Sequence, residues 1–393
     1  PKTDLHVHLD GSLRLPTLIE LAKAQGIPLP SETESGLREL VFKDHYANLV
    51  EYLQGFGLTV AVMQDSESLE RVAFEFAEDN LAEGVRYFEV RFAPQLHARE
   101  GMDERQVVEA VARGLEKAAN EFNRSAAVTS GQDIPCHYGI ILCALRWFSK
   151  EMSDYYGRLF SVMPHAQDKQ VFAAASLECA RVAVALRDSA GIPVVGFDLA
   201  GAEHGNPPDD HMEAFLYAHR HFLKKTVHAG EAYGAESIFQ ALTACHANRI
   251  GHGTTLFRDD LVSHPSITDR SRYIDQLVTY IASQRITIEV NLTSNLQTLP
   301  EFSTAADHPV GRMLDHRLSA TVCTDNRLVS NTSVTEELDL VVTHFDVDMP
   351  RLKALILAGF KGAFFPGTYR EKRTYVRNAI NRFDAVVREH GVG

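Results

Sequence analysis

An α/β fold closed into a (β/α)8 barrel is what this sequence predicts, and three observations predict it. Short β-branched runs alternate with longer helical segments, eight such runs can be counted, and the residues of chemical interest fall where those runs end. Alternation implies parallel strands, because each parallel return needs a crossover. Eight units suggest closure, with an open doubly wound sheet as the alternative.

The first run, DLHVHLDGSL at 4–13, sets the pattern. Residues two apart on a strand share a face, so His6 and His8 can point at one ion before Asp10, Gly11 and Ser12 turn the chain away. Pro16 then opens a helix that Gly26 can close. Over 46–63, Leu49, Leu53, Phe56 and Val60 recur at helical spacing, which fits a helix packed on the core or one laid over a ligand pocket.

From there the rhythm is regular. A helix over 70–83 precedes a strand over 85–92 (VRYFEVRF), and a helix over 104–121 precedes a Ser/Ala/Gly-rich loop over 123–135. A strand over 137–143 leads into an irregular aromatic-rich segment and a helix over 169–188. Strands over 194–199, 226–228 and 249–251 alternate with helices over 210–225 and 235–246, and a long helical region then reaches 283. Strands over 286–291 and 320–324 flank a helix over 309–316. Ser333 and Glu336 have the spacing of a capping box, and two more helical segments run to about 389. No repeat or linker interrupts this, so 1–393 reads as a single domain.

Bulk composition narrows the function. The chain of 393 residues is 45% hydrophobic and 23% charged, ordinary for a soluble globular protein. Its formal net charge of -13 argues against a nucleic-acid partner, since phosphates are bound by Lys and Arg. A small neutral or cationic substrate fits better. No apolar run approaches the roughly 18 residues a membrane helix needs, and the opening residues carry no apolar signal segment, so no membrane partner is expected. Five cysteines without a C-x-x-C pair give neither a disulfide framework nor a cysteine metal knuckle, and the expected setting is cytoplasmic.

Chemistry concentrates at strand ends, where barrel enzymes assemble their sites from separate loops. His6 and His8 end the first strand, His228 the fifth and Asp325 the eighth, and His252 follows the sixth. A His-x-His pair alone is a weak signal: His219 and His221 form another, but on a helix they diverge and read as solvated surface. Three imidazoles with one carboxylate suit zinc, and zinc would bring the pKa of a water toward about 7 to yield a hydroxide nucleophile. Glu231 follows His228 by three residues and reads as a general acid, or as a carboxylate favoured by the following helix dipole. Glycines on both sides of His252 leave its imidazole free to approach the attacking water.

Taken in order, HVHLDGS at 6–12, VRYFEVRFAPQLH at 85–97, VVGFDLAG at 194–201, HAGE at 228–231, RIGHG at 249–253 and TDN at 324–326 resemble the landmarks of the adenosine deaminase family of metal-dependent amidohydrolases. The likeness covers nearly the whole chain. It implies a TIM-type barrel with extra helices that hydrolyses adenosine or 2′-deoxyadenosine to the inosine nucleoside and ammonia, with a small-molecule purine nucleoside as partner. The resemblance also implies one Zn2+ ion held by His6, His8, His228 and Asp325. Glu231 would be the proton donor to purine N1, and His252 would orient or deprotonate the attacking water. His8, Asp10, Gly201 and Asn326 would meet the substrate: Asp10 at the ribose 5′-hydroxyl, the Gly201 N–H at purine N3. Asp198 would stand behind the ligands. Since a free Glu has pKa about 4.3, Glu231 must be raised to carry the proton.

Two departures bear on specificity. Many members place a second aspartate after the metal-binding one, at purine N7, whereas this chain has Asn326, whose amide can donate to N7 directly. Residues 291–298 (NLTSNLQT) replace the more usual Cys-Pro or Ser-Pro opening. Rival readings are a sibling deaminase acting on adenine, AMP, N6-methyl-AMP or aminodeoxyfutalosine, and a non-catalytic purine-binding relative. A nucleotide would want a basic cluster near the sugar end, which the sequence does not show, and Asp10 would repel its phosphate.

Overall fold

All the expected strands form, and each pairs in parallel with the next in sequence order. They are β1 (Lys2–His8), β2 (Val85–Phe92), β3 (His137–Leu145), β4 (Val194–Ala200), β5 (Lys224–Ala229), β6 (Arg249–His252), β7 (Thr287–Val290) and β8 (Ser319–Val322). A computed structural model describes residues 1–47, 49–299, 302 and 304–391, with only the backbone described at 49 and 50. The sheet closes beyond β8, where Asp325 bridges back to Val7. Its N–H donates to His6 O at 2.8 Å, and its carbonyl accepts from His8 N–H at 2.7 Å. An eight-stranded barrel wrapped in helices results.

Alternation along β1 decides what faces where. Leu5 packs outward with Leu357 and Phe360 of the Met349–Gly362 helix, so its neighbours His6 and Asp4 turn inward. Between Asp4 and Val7 the strand carries one residue more than β2 opposite it, a bulge of the kind that re-aims side chains beside active sites. Gly359 is what lets that outer helix approach. A methyl there would overlap the Thr3 hydroxyl and press on Thr321.

The barrel interior is filled partly by charge. Glu89, Arg91, Arg249 and Glu289 are each at most 1% exposed. Arg249 pairs with Glu289 and Glu89 at 2.5 Å each, while Arg91 reaches Glu289 and Asp198 at 2.9 Å each. Buried charges survive only when paired in this way, and the Phe364 ring closes the stack 3.6 Å from the Arg249 guanidinium carbon.

Several elements differ from the sequence reading. The helix expected over 210–225 stops at Arg220, because Phe222 takes a left-handed φ of 58°, and β5 begins at Lys224 instead of 226. Asp65 caps the helix expected from 70, which therefore starts at Ser66. The aromatic-rich segment holds a helix, Asp154–Val162, capped by Ser153, and the expected loop at 123–135 holds one helical turn, Ala126–Thr129. Residues 291–298 form the Leu292–Thr298 helix. The helix expected from 46 starts at Leu49, whose side chain lies outside the described residues; Tyr52 is its buried polar contact, while Leu53 and Phe56 are half-buried. All five cysteines are buried and free, and no helix among the described residues is long and apolar enough to cross a membrane.

If Gly359 sets the helix-to-barrel distance, Gly359→Ala should destabilise by about 1–3 kcal/mol through overpacking. Urea unfolding reads this as a lowered midpoint at constant slope; an unchanged midpoint would contradict the close approach.

Candidate active site

At the C-terminal mouth of the barrel, His6, His8, His228 and Asp325 present ligand atoms that all lie within 4.8 Å of one another. His228 Nε2 is 3.0 Å from His6 Nε2 and 3.1 Å from His8 Nε2. Asp325 Oδ1 stands 3.4 and 3.6 Å from the same two atoms of His6 and His8. Three imidazole nitrogens converging on one carboxylate form the donor set that zinc takes, so the residues present fit one Zn2+ ion.

The rings are held from behind. His6 Nδ1 lies 2.8 Å from Glu289 and His228 Nδ1 3.1 Å from Asp198, so each ring keeps its proton on Nδ1 and turns a free Nε2 to the centre. Burial alone would raise both carboxyls. Arg91 and Arg249 beside Glu289, and the His228 Nδ1 hydrogen with Arg91 beside Asp198, outweigh it and hold both well below the usual carboxylate range. Ser294 donates to Asp325 Oδ2 at 2.6 Å. His8 is the most open of the three histidines, its side chain 13% exposed against 0% for His6 and 6% for His228.

Glu231 sits on the turn leaving β5. The Glu203 carboxylate organises that turn, accepting the N–H groups of Gly230, Ala232 and Tyr233 at 2.8, 2.6 and 3.0 Å and the Ser237 hydroxyl. Burial, then the negative charges of Asp325 and Glu203, push the Glu231 carboxyl up to about 8, which is the direction the sequence reading required.

His252 ends β6 at a φ of 64°, with Nε2 3.9 Å from Glu231 Oε1. On its other side, Nδ1 faces the side-chain amides of Asn295 and Asn291 at 3.1 and 3.3 Å. Thr254 donates to Asn295 Oδ1 at 2.9 Å, so the Asn295 NH2 points at the ring. The hydrogen-bond network thus assigns the His252 proton to Nε2. Burial and the nearby His6 hold the ring well below its ordinary pKa, and it stays neutral. Gly251 admits the His6 ring, which a methyl there would crowd.

The remaining expected residues lie close by in the chain. Asp10 is 3% exposed with no described partner for Oδ1, and burial raises it to about 7. Gly201, at a φ of 99°, directly follows β4. Asn326 donates to Tyr52 Oη at 2.7 Å, which leaves one amide hydrogen, while its Oδ1 packs unpartnered against Gly11.

Sequence reading did not single out Glu289, Arg91, Glu203, Asn295 or Tyr52. For two of them a signal existed: the charges inside VRYFEVRF and ITIEVN interrupt runs that otherwise read as fully buried strands. Glu203 and Tyr52 carry no such mark.

Residues 1–380 match the family model described as adenosine deaminase. Adenosine deaminase 1 of Streptomyces coelicolor is 38% identical over 97% of this chain and 86% of its own length. The adenosine deaminase of Mycobacterium avium is 36% identical over 93% of this chain and 91% of its own. Among solved structures, the N6-mAMP deaminase of Arabidopsis aligns with TM-score 0.72 and 26% identity over 97% of each chain. An adenine deaminase of Arthrobacter aurescens, at TM-score 0.72 and 23% identity over 98% of this chain and 99% of its own, shares the fold.

Glu289 carries the clearest test of how the rings are held. Glu289→Ala takes one of two carboxylate partners from each of Arg91 and Arg249 and frees His6, so zinc affinity should fall about 10–100-fold and stability by about 3 kcal/mol. Competition against a chromophoric chelator, together with urea unfolding of the metal-free chain, reads both; parent-like zinc affinity would show that Glu289 does not orient His6.

Proposed function

The chain belongs to the adenosine deaminase family within the metal-dependent amidohydrolases, a deaminase of 6-aminopurine compounds, and from that premise we propose that its substrates are adenosine and 2′-deoxyadenosine. The products are the inosine nucleosides and ammonia. One observation carries the choice of a nucleoside: Asp10, a buried carboxyl with an unpartnered oxygen, suits the hydrogen of a ribose 5′-hydroxyl and disfavours a phosphate there. The curated relatives of 36–38% identity, named adenosine deaminases, support the same reading.

His6, His8, His228 and Asp325 would hold one zinc ion, whose positive charge would ease loss of a proton from water near neutral pH. The chain's own groups do the rest. Glu231, protonated, donates to purine N1 and withdraws electrons from C6, where the oxygen of water adds; of that water's two protons one returns to Glu231 and the other goes to the amine, which leaves as ammonia. His252 is neutral with its hydrogen on Nε2, so its part is to donate to the incoming oxygen and hold it in place; a base at that atom would need the opposite tautomer. The Gly201 N–H meets N3, and the second amide hydrogen of Asn326 meets N7. His8, the most open ligand, lies on the substrate side. The barrel residues act as one domain, in a soluble cytoplasmic enzyme.

Rates with adenosine, adenine, AMP and N6-methyl-AMP test the substrate. Adenosine should give the highest kcat/KM; a clear preference for the free base or a nucleotide would overturn the nucleoside assignment. Glu231→Gln should keep zinc and bind substrate while losing about 100-fold or more in kcat. The reaction needs the protonated acid, so kcat/KM should hold at lower pH and fall as pH rises through a value at or below about 8, since a cation in the cluster favours the carboxylate. A pH-independent rate from 6 to 9, on the order of the range probed, would remove Glu231 from that role.

A further inference from the structure

Although the chain carries 52 acidic against 39 basic residues, one region is wholly basic. Below the N-terminal ends of β5 to β8, at the mouth opposite His6 and His8, lies a basin of about 830 Å³ lined by seven Lys and Arg residues and no Asp or Glu. Lys224 opens β5, Arg285 and Arg317 lead into β7 and β8, and Lys361, Lys372, Arg373 and Arg377 come from the last two helices. None of the seven makes an ion pair among the described residues, although cations elsewhere on the surface commonly do, as Arg14, Arg71 and Arg113 show.

Like charges gathered in a concavity repel one another and focus a positive field, an arrangement that an anion relieves. Three further details mark the basin as built. Arg285 and Arg317 both hold φ near 54°, each just after a helix, where glycine would take that conformation without a side-chain penalty. Lys372 is half-buried, and its ammonium is fixed by the carbonyls of Lys361 and Ala363 at 2.7 and 2.5 Å. Burial, helped by the charges of Arg249 and Lys224 and opposed by Glu89, lowers it to about 8. Thr287 and Ser319, their hydroxyls 2.9 Å apart, add neutral donors on the floor.

We propose that this basin binds a small molecule bearing a polyphosphate chain, whose oxygens the arginine forks and lysine ammoniums hold on the side of the barrel away from the catalytic mouth. Several cations around one concavity exceed what a single phosphate can neutralise, and the open basin has room for a polyphosphate chain.

Calorimetric titration of the zinc-loaded full chain with inorganic tripolyphosphate tests this. Saturable binding of one molecule per chain is expected, weakening as salt rises. Arg373 and Arg377 are exposed on the final helix, so the double variant R373E/R377E should fold and deaminate adenosine like the parent yet bind tripolyphosphate about tenfold or more weakly. GTP, which offers no 6-amino group, separates the sources: affinity equal to tripolyphosphate means the chain alone is read, and tighter binding means base and sugar are read too. No saturable binding at low ionic strength, or equal affinity in parent and variant, would overturn the proposal.

Discussion

Closure of the barrel and assembly of its metal centre depend on the same two hydrogen bonds, those that Asp325 makes to His6 O and from His8 N–H across the seam between the last strand and the first. The backbone of Asp325 completes the sheet at a left-handed φ of 59°, and from there its carboxylate stands 3.4 and 3.6 Å from the rings of His6 and His8. A chain that fails to close cannot gather the donors. One that closes brings two histidines and the aspartate into place together, with His228 arriving on β5.

That arrangement carries an electrostatic cost, and the barrel interior offsets it. Glu289 and Asp198 must remain charged with no water around them to hold His6 and His228 by their Nδ1 atoms. Arg91 lies between the two carboxylates, and Arg249 ties Glu289 to Glu89, so the donor cluster rests on alternating buried charges. Replacing them with aliphatic residues of similar size could leave a stable barrel. It would leave the histidines free to rotate, and the function of the stack is therefore orientation. Glu203 does for the Glu231 turn what Glu289 does for His6, using a carboxylate to fix backbone donors.

Much of this was legible in the sequence. Alternation of strand and helix gave the barrel because a parallel strand needs a crossover, and His6, His8, His228 and Asp325 were readable because metal ligands are few in type and fall at strand ends. What escaped detection depends on tertiary contact. Helix 154–162 lies in a segment whose aromatics pack locally around Phe148 and Tyr156 and show no clean period. Residues 291–298 looked like a departure of unknown effect. Folded as a helix, they put Ser294 on Asp325 and Asn295 on His252, a pairing across about 30 to 40 positions that no local pattern encodes. The basic basin is hidden for the same reason: its cations are scattered from 224 to 377, and a net charge of -13 conceals them.

Ammonia release from adenosine, followed in the purified chain before and after metal is removed with a chelator and again after zinc is restored, tests the central claim most directly. The geometry predicts turnover that disappears with the metal and returns with zinc, because the four donors are held for that ion and the acid and hydrogen-bond donor beside them are already in place. Turnover that survives in the zinc-free chain, or a folded and zinc-loaded chain that releases no ammonia from adenosine, would contradict it.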